Sequence, residues 1–149
     1  MDDQLTYLLI LSVLSILFFV FKISYLPKIK GSLGEYSVEK TLNRLNKKDY
    51  IVYNDIYLKN MGYTSQIDHL VLSIYGIFVI ETKNYKGWIF GNDKSKYWTQ
   101  TLYKRKFKIY NPVRQNWAHV SCIKRISNEL NYSNYIPIIV FTGSAKLKK

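Results

Sequence analysis

Cysteine is almost absent from this chain of 149 residues, which contains only Cys122. A single cysteine excludes an intramolecular disulfide framework, and a free thiol fits a reducing compartment. His119 and Cys122 share one predicted helix, but the chain lacks the further thiolate or imidazole pair that a zinc site needs. The sequence also shows no internal repeat, no glycine-rich phosphate loop and no Ser-His-Asp order. These absences exclude the disulfide-rich, zinc-finger and P-loop classes.

Acidic residues are scarce, with 10 Asp and Glu against 22 Lys and Arg and a net charge of +12. A surface this basic attracts either nucleic acid or anionic lipid headgroups, so charge alone does not identify the partner. All the basic residues lie at or after Lys22. The first 21 residues therefore carry only the acidic pair Asp2 and Asp3.

Leu5 to Phe21 carries no charge and consists mostly of Leu, Ile, Val and Phe. With Ile23 to Leu26 included, the apolar stretch reaches about 20 residues, enough for a transmembrane helix. The alternatives are a buried helix of a soluble protein and a cleaved signal peptide. An acidic start and the lack of a small-residue cleavage site argue against the signal peptide.

Positive charge follows this segment and does not precede it, since the nearest basic residues are Lys22, Lys28 and Lys30. The positive-inside rule then predicts an N-terminus outside and a domain in the cytoplasm. We expect a single-pass protein of the cell membrane that contacts lipid through residues 5–26. The predicted divisions are an anchor (1–26), a basic linker (27–32) and a folded domain (33–149).

The stretch from Gln66 to Lys83 has two apolar runs rich in β-branched and aromatic residues, separated at Gly76, which predicts a β-hairpin. With a turn at residues 74 and 75, Asp68 lies opposite Glu81. Side chains alternate faces along a strand, so Lys83 shares the face of Glu81.

Both faces of this hairpin are largely apolar, which predicts central strands covered on both sides. Ile67 and Val71 are expected on the face opposite Val79. At one end, two carboxylates and an ammonium group meet, and burying such charges without partners is costly. A bound cation between Asp68 and Glu81 would compensate them; the alternative is a salt bridge to Lys83 at a solvated sheet end.

Further elements follow from periodicity and turn residues. A helix is predicted from about Glu35 to Asn46, and it places Glu35 on the core stripe. Either the helix dipole favours an acid at this position, or the acid is aimed at the hairpin site. The predicted strands are 50–58, 88–91, 97–103 and 135–141, with none after Phe141.

A second helix is predicted from Pro112 to about Leu130. Its core stripe consists of Val113, Trp117, Val120, Ile123 and Leu130. His119, on the same helix, is expected to be a partly buried histidine with a backbone partner.

Lys104, Arg105 and Lys106 alternate with aromatic residues such as Tyr103 and Phe107. This basic-aromatic run has two interpretations. It is either a solvated, tyrosine-rich edge or a surface that contacts phosphates and stacks on bases.

Several of these segments resemble the NERD (nuclease-related) domain, over about Gly31 to Gly143. They are Gly34-Glu35, Gln66-Ile-Asp68-His69, the run from Gly76 through Glu81-Thr-Lys83 to Trp88, Asn111-Pro-Val-Arg-Gln115, and Phe141-Thr-Gly143. That family is related to the PD-(D/E)xK, restriction-endonuclease-like superfamily. Ile67 stands where the superfamily motif has proline.

The resemblance implies an α/β fold with a central mixed sheet flanked by helices, here preceded by one transmembrane helix. It also implies a nuclease site in which Asp68 and Glu81, with Glu35, bind Mg²⁺ or alternatively Mn²⁺. Lys83 is then the catalytic lysine, and Gln115 is the helix glutamine that accompanies such sites.

The leading hypothesis is therefore a membrane-anchored, Mg²⁺-dependent nuclease that acts on DNA rather than RNA. Nucleic-acid contacts are expected from Lys104, Arg105, Lys106 and Arg114. The first alternative is a non-catalytic module that tethers nucleic acid or a protein to the inner membrane face. The second is a membrane protein whose basic face contacts lipid.

Overall fold

The structure is a computed structural model that describes residues 2–60, 62–127 and 134–148. Two compact units are present, one ending at Leu33 and the other beginning at Gly34. The elements, in chain order, are α1 (Asp2–Ser24), α2 (Leu26–Leu42), β1 (Tyr50–Asn60), β2 (Tyr63–Ser73), β3 (Gly76–Lys83), β4 (Gly87–Phe90), β5 (Tyr97–Leu102), β6 (Arg105–Tyr110), α3 (Pro112–Ile126), β7 (Tyr135–Phe141) and β8 (Ala145–Lys148).

The N-terminal helix α1 exposes its apolar side chains along its whole length. The helical stretch Gln4–Leu42 contains a segment of mean hydropathy 2.3 with no buried residue, long and apolar enough to cross a membrane. A signal sequence shares this length and composition. Residues 27–32, which the sequence predicted as a linker, are helical and belong to α2.

The main sheet has the strand order β1-β2-β3-β7. Its first three strands are antiparallel, and β7 lies parallel to β3, so the sheet is mixed, as expected. The β2–β3 register also agrees with the prediction, with the pairs His69↔Ile80, Leu70↔Val79, Val71↔Phe78 and Leu72↔Ile77. Gly76 follows the turn with a φ of 140°, a conformation that suits glycine.

Both faces of the main sheet are covered, which confirms that β2 and β3 are central strands. On one face, Val120 and Ile123 of α3 pack against Ile77 and Val79. On the other, Val38 of α2 packs against Val71 and Ile80, with Leu42 and Leu45 beside them. Gly34 allows the close approach of α2, because a Cβ there would lie 2.6 Å from Thr142 Oγ1.

Ile67 does not lie on the predicted face. It is fully buried in the same cluster as Val79 and α3, whereas Val71 faces α2. The cause is that the alternation of side chains between the two faces of the sheet breaks in both β1 and β2. The β1–β2 pairing passes from Asn54↔His69 to Ile56↔Ile67, and Asp55 between them has a left-handed φ of 51°.

Helix α3 differs from its prediction in one core position. Trp117, expected in the core stripe, is 49% exposed. The buried positions of the helix are Pro112, Asn116, His119, Val120 and Ile123, a stripe that includes polar side chains because it faces the charged end of the hairpin. Leu130 lies outside the described residues.

A second sheet has the strand order β6-β5-β4-β8. The basic-aromatic run forms strand β6, which pairs with β5. The expectation that no strand follows Phe141 is wrong, because Ala145–Lys148 pairs in parallel with β4. This sheet buries Ile89 and Trp98 on one side.

Candidate active site

Glu81 is the centre of the charged cluster and is only 2% exposed. Its Oε1 accepts hydrogen bonds from Lys83 Nζ at 2.5 Å and from Gln115 Nε2 at 2.7 Å. Its Oε2 lies 3.1 Å from His119 Nε2. Strand β3 places Glu81 and Lys83 on one face because they are two residues apart. Gln115 and His119 share a face of α3 because they are four residues apart.

Two asparagines fix the position of α3 against the sheets. Asn116 Nδ2 donates to the carbonyls of Val79 and Ile138, each at 2.9 Å, and so bonds the helix to β3 and β7. Asn111 caps the helix by accepting from the Val113 amide at 2.9 Å. Its Nδ2 donates to three carbonyls of the turn between β4 and β5, those of Asn92, Asp93 and Ser95. These bonds hold the side chain of Gln115 at Glu81.

Asp68 directly precedes His69, the residue at which the pairing of β2 with β3 ends (His69↔Ile80). Its Oδ2 accepts a hydrogen bond from the Thr82 amide at 2.7 Å. Burial, and next the charge of Glu81, raise the pKa of Asp68 to about 6. Burial also acts to raise the pKa of Glu81, but the bonds with His119 and Lys83 outweigh it and lower that pKa.

Glu35 approaches the same cluster from α2. Burial raises its pKa, and the charges of Asp55 and Glu81 raise it further. Glu35 and Gln115 belong to two different helices, α2 and α3. Within the part of the chain that the structure describes, however, no three His, Cys, Asp or Glu side chains are grouped closely enough to hold a metal ion.

The donor chemistry of Asp68 and Glu81 fits a hard divalent cation, which prefers carboxylate oxygens. Among the described residues, Lys83 is the one lysine bonded to either carboxylate, through Glu81, so two carboxylates face one lysine. Both oxygens of Glu81 already have partners. A cation would therefore share Glu81 with Lys83 and Gln115, or replace one of them.

Three residues of this cluster were not identified from the sequence. His119 was expected to bind the backbone, but it bonds two side chains, since its Nδ1 also lies 2.8 Å from Ser65 Oγ. A proton on Nε2 lets the ring donate to Glu81 and accept from Ser65. The i, i+4 spacing from Gln115 was the available signal for His119. For Ser65 and Asp55 there was none, because the fold brings them from distant positions.

The predicted nucleic-acid contacts are divided between the second sheet and α3. Lys104 is in the turn between β5 and β6, and Arg105 and Lys106 begin β6 of the second sheet. Arg114 lies on α3, with Nη1 3.4 Å from the Lys94 carbonyl. None of these four side chains bonds to Asp68, Glu81 or Lys83 among the described residues.

The model of the NERD family, the nuclease-related domain, matches residues 30–142 and so includes the whole charged cluster. The chain belongs to the NERD family. It is 42% identical over 101 residues to an uncharacterized protein of Bacillus anthracis. That alignment covers 67% of this chain and 48% of the relative, so this NERD chain spans about half the length of the curated protein it matches. No solved structure matches it.

Proposed function

We propose that this NERD protein is a metal-dependent nuclease that hydrolyses phosphodiester bonds of DNA. The observation that carries the proposal is a buried carboxylate, Glu81, bonded to both a lysine and a glutamine, with a second carboxylate, Asp68, bonded to the amide of the adjacent residue Thr82. Membership of a nuclease-related family supports it.

In the proposed mechanism, Asp68 and Glu81 would hold Mg²⁺, with Mn²⁺ as a substitute. The bound ion would supply Lewis-acid stabilisation of the scissile phosphate and a water of lowered pKa. Lys83 would orient the attacking water and offset the negative charge that develops on the phosphate. Gln115 would donate its remaining N–H to a water or a phosphate oxygen. His119, bonded to Ser65, would hold Glu81 in place.

We further propose that α1 anchors the nuclease domain at the cytoplasmic face of the cell membrane. The support is an exposed apolar helix with no basic residue before Lys22. Protease protection of a C-terminal tag in intact cells tests this topology. Digestion from outside would contradict it.

The nuclease proposal is tested with the full-length protein in detergent micelles. Labelled DNA and RNA, single- and double-stranded, are incubated with Mg²⁺ or with EDTA. We expect cleavage with Mg²⁺ only, and a loss of about 100-fold or more in Asp68→Asn and in Lys83→Ala, as for removal of a group that stabilises transition-state charge. Circular dichroism checks that both variants fold. If both variants cleave as fast as wild type, the assignment of Asp68 and Lys83 to the catalytic site is wrong.

A second candidate, a binding module without catalysis, is favoured by one observation. The oxygens of Glu81 are already bonded to Lys83, Gln115 and His119, which is the arrangement of a closed structural network. Binding of nucleic acid without cleavage of any substrate, at any Mg²⁺ or Mn²⁺ concentration, would support this candidate and contradict the nuclease.

A further inference from the structure

One face of the second sheet carries aromatic and lysine side chains in two parallel rows. Directly paired residues lie on the same face of a sheet. The pairing places Trp88 beside Thr101 and Lys146, and Thr101 beside Lys106. In the next row it places Phe90 beside Thr99 and Lys148, and Thr99 beside Lys108. Each row therefore reads lysine, threonine, aromatic residue, lysine across the four strands. We call this surface the aromatic–lysine face.

The rings at the centre of the aromatic–lysine face are open to solvent. Trp88 is 52% exposed and Phe90 36%. The short Thr99 and Thr101 side chains beside them leave a cavity of about 360 Å³ that Lys106 also lines. Lys148 Nζ stands 5.3 Å from the centre of the Trp88 ring. At the far end, Tyr97 and Tyr110 extend the surface, with ring centres 6.2 Å apart.

The charge on this sheet has one sign. Strands β4, β5, β6 and β8 contain five Lys or Arg residues and no Asp or Glu. Four of the five, Lys106, Lys108, Lys146 and Lys148, belong to the two rows and flank the rings on both sides. Because a surface of rings bordered by lysines complements bases bordered by phosphates, the occupant that fits is a nucleic acid.

The spacing of the rings favours a single strand. Trp88 and Phe90 are two residues apart on β4, which places them about 6.6 Å apart along the strand. Bases stacked in B-DNA are about 3.4 Å apart. Neighbouring bases can therefore occupy neighbouring rings only when they are unstacked from each other, and duplex bases would not reach the rings at all.

We propose that the aromatic–lysine face binds single-stranded nucleic acid, with bases stacked on Trp88 and Phe90 and phosphates on the flanking lysines. This deepens the proposed nuclease function, on which it rests only for the inference that the bound strand is also the substrate. A lipid surface would also attract aromatic and lysine side chains. It offers no planar group for the cavity between the rings and the threonines.

Binding of a fluorescein-labelled dT20 strand tests the proposal. Fluorescence anisotropy is measured with the full-length protein in neutral detergent micelles with EDTA, so that no cleavage is required. We expect Trp88→Ala and Phe90→Ala each to weaken binding about 5-fold to 100-fold, the cost of losing one stacked base. A duplex of the same length should bind more weakly than dT20.

Phe107→Ala is the matched control, because Phe107 is 44% exposed and pairs with Gln100, on the opposite face of the same sheet. It should change dT20 affinity less than about 2-fold, within the range of surface substitutions. The contribution of the lysines is tested by the salt dependence of binding. Lys106→Ala should reduce the slope of log affinity against log salt concentration by about one unit. Lys104→Ala, in the adjacent turn, should leave that slope closer to the wild-type value.

The outcomes separate this proposal from the nuclease. Normal dT20 binding by Trp88→Ala and Phe90→Ala, or an equal loss in Phe107→Ala, overturns the proposed face whether or not the protein cuts. Loss of binding in the first two variants alone supports it even if no cleavage is found. If Trp88→Ala keeps its DNA affinity but loses quenching by brominated anionic lipid, the face contacts the membrane and the proposal is wrong.

Discussion

The two sheets of this protein use charge in opposite ways. In the main sheet, apolar runs bury β2 and β3 on both faces, and the charged side chains meet at one end, where they bond one another. In the second sheet, polar and apolar residues alternate, and lysines border exposed rings without acidic partners on the strands. Paired, buried charges are held in fixed positions. Among the residues that the structure describes, the exposed lysines of the second sheet have no acidic partner and remain available to a polyanion.

The largest expected difference between the sheets is in stability. Ile67 of the main sheet is fully buried, so Ile67→Ala should lower the free energy of unfolding by about 2–5 kcal/mol. Phe90→Ala on the aromatic–lysine face should cost about 1 kcal/mol or less. Urea denaturation followed by circular dichroism measures both. Equal losses would show that the rings of the second sheet are packed rather than available.

A smaller effect is expected from His119, which supports Glu81 from α3. His119→Ala leaves Glu81 Oε2 without its partner, and loss of such an outer partner lowers metal affinity about 10-fold to 100-fold. His119→Gln should recover part of the loss, since its amide can donate to the same oxygen. Calorimetric titration with Mn²⁺ measures the affinities. Wild-type affinity in His119→Ala would mean that the histidine does not support a metal site.

The smallest effect concerns the pH dependence of stability without metal. Asp68 has a folded pKa of about 6 against an ordinary value of 3.8. The folded protein therefore binds this proton more tightly than the unfolded chain, and the contribution of Asp68 to stability falls as pH rises from about 4 to 6. Above pH 6 the ionised carboxylate is destabilising, by about 1–2 kcal/mol after allowance for its partial exposure.

Asp68→Asn should consequently raise the free energy of unfolding by that amount at pH 7.5 in EDTA, and by almost nothing at pH 4. Asparagine keeps an oxygen that can accept from the Thr82 amide. Glu81, whose pKa is lowered, acts in the opposite direction but is present in both proteins. Lower stability of Asp68→Asn at pH 7.5 would contradict the repulsion between Asp68 and Glu81.

The sequence was sufficient for the parts of the site that depend on strand alternation and on a short turn. The apolar runs around Gly76 predicted the β2–β3 register as far as His69↔Ile80, and strand alternation predicted Lys83 beside Glu81. The face of Ile67 could not be predicted, because it depends on a left-handed residue, Asp55, in a neighbouring strand.

Contacts between distant segments were also beyond prediction. The bond between Ser65 and His119 joins residues 54 positions apart, and no local pattern indicates it. The basic run at residues 104–106 was recognised as a unit, but strand alternation divides it. Lys106 lies on the aromatic–lysine face, whereas Arg105, paired with Leu102, lies on the other.

The most direct test of this division is single-turnover cleavage of one labelled single strand with Mg²⁺, measured against protein concentration for wild type, Lys83→Ala and Trp88→Ala. We predict that Lys83→Ala lowers the maximal rate about 100-fold or more with little change in the half-saturating concentration. Trp88→Ala should raise the half-saturating concentration about 5-fold to 100-fold with a smaller effect on the maximal rate. A fall in maximal rate confined to Trp88→Ala, or wild-type behaviour of both variants, would contradict the assignment of chemistry to the main sheet and binding to the second.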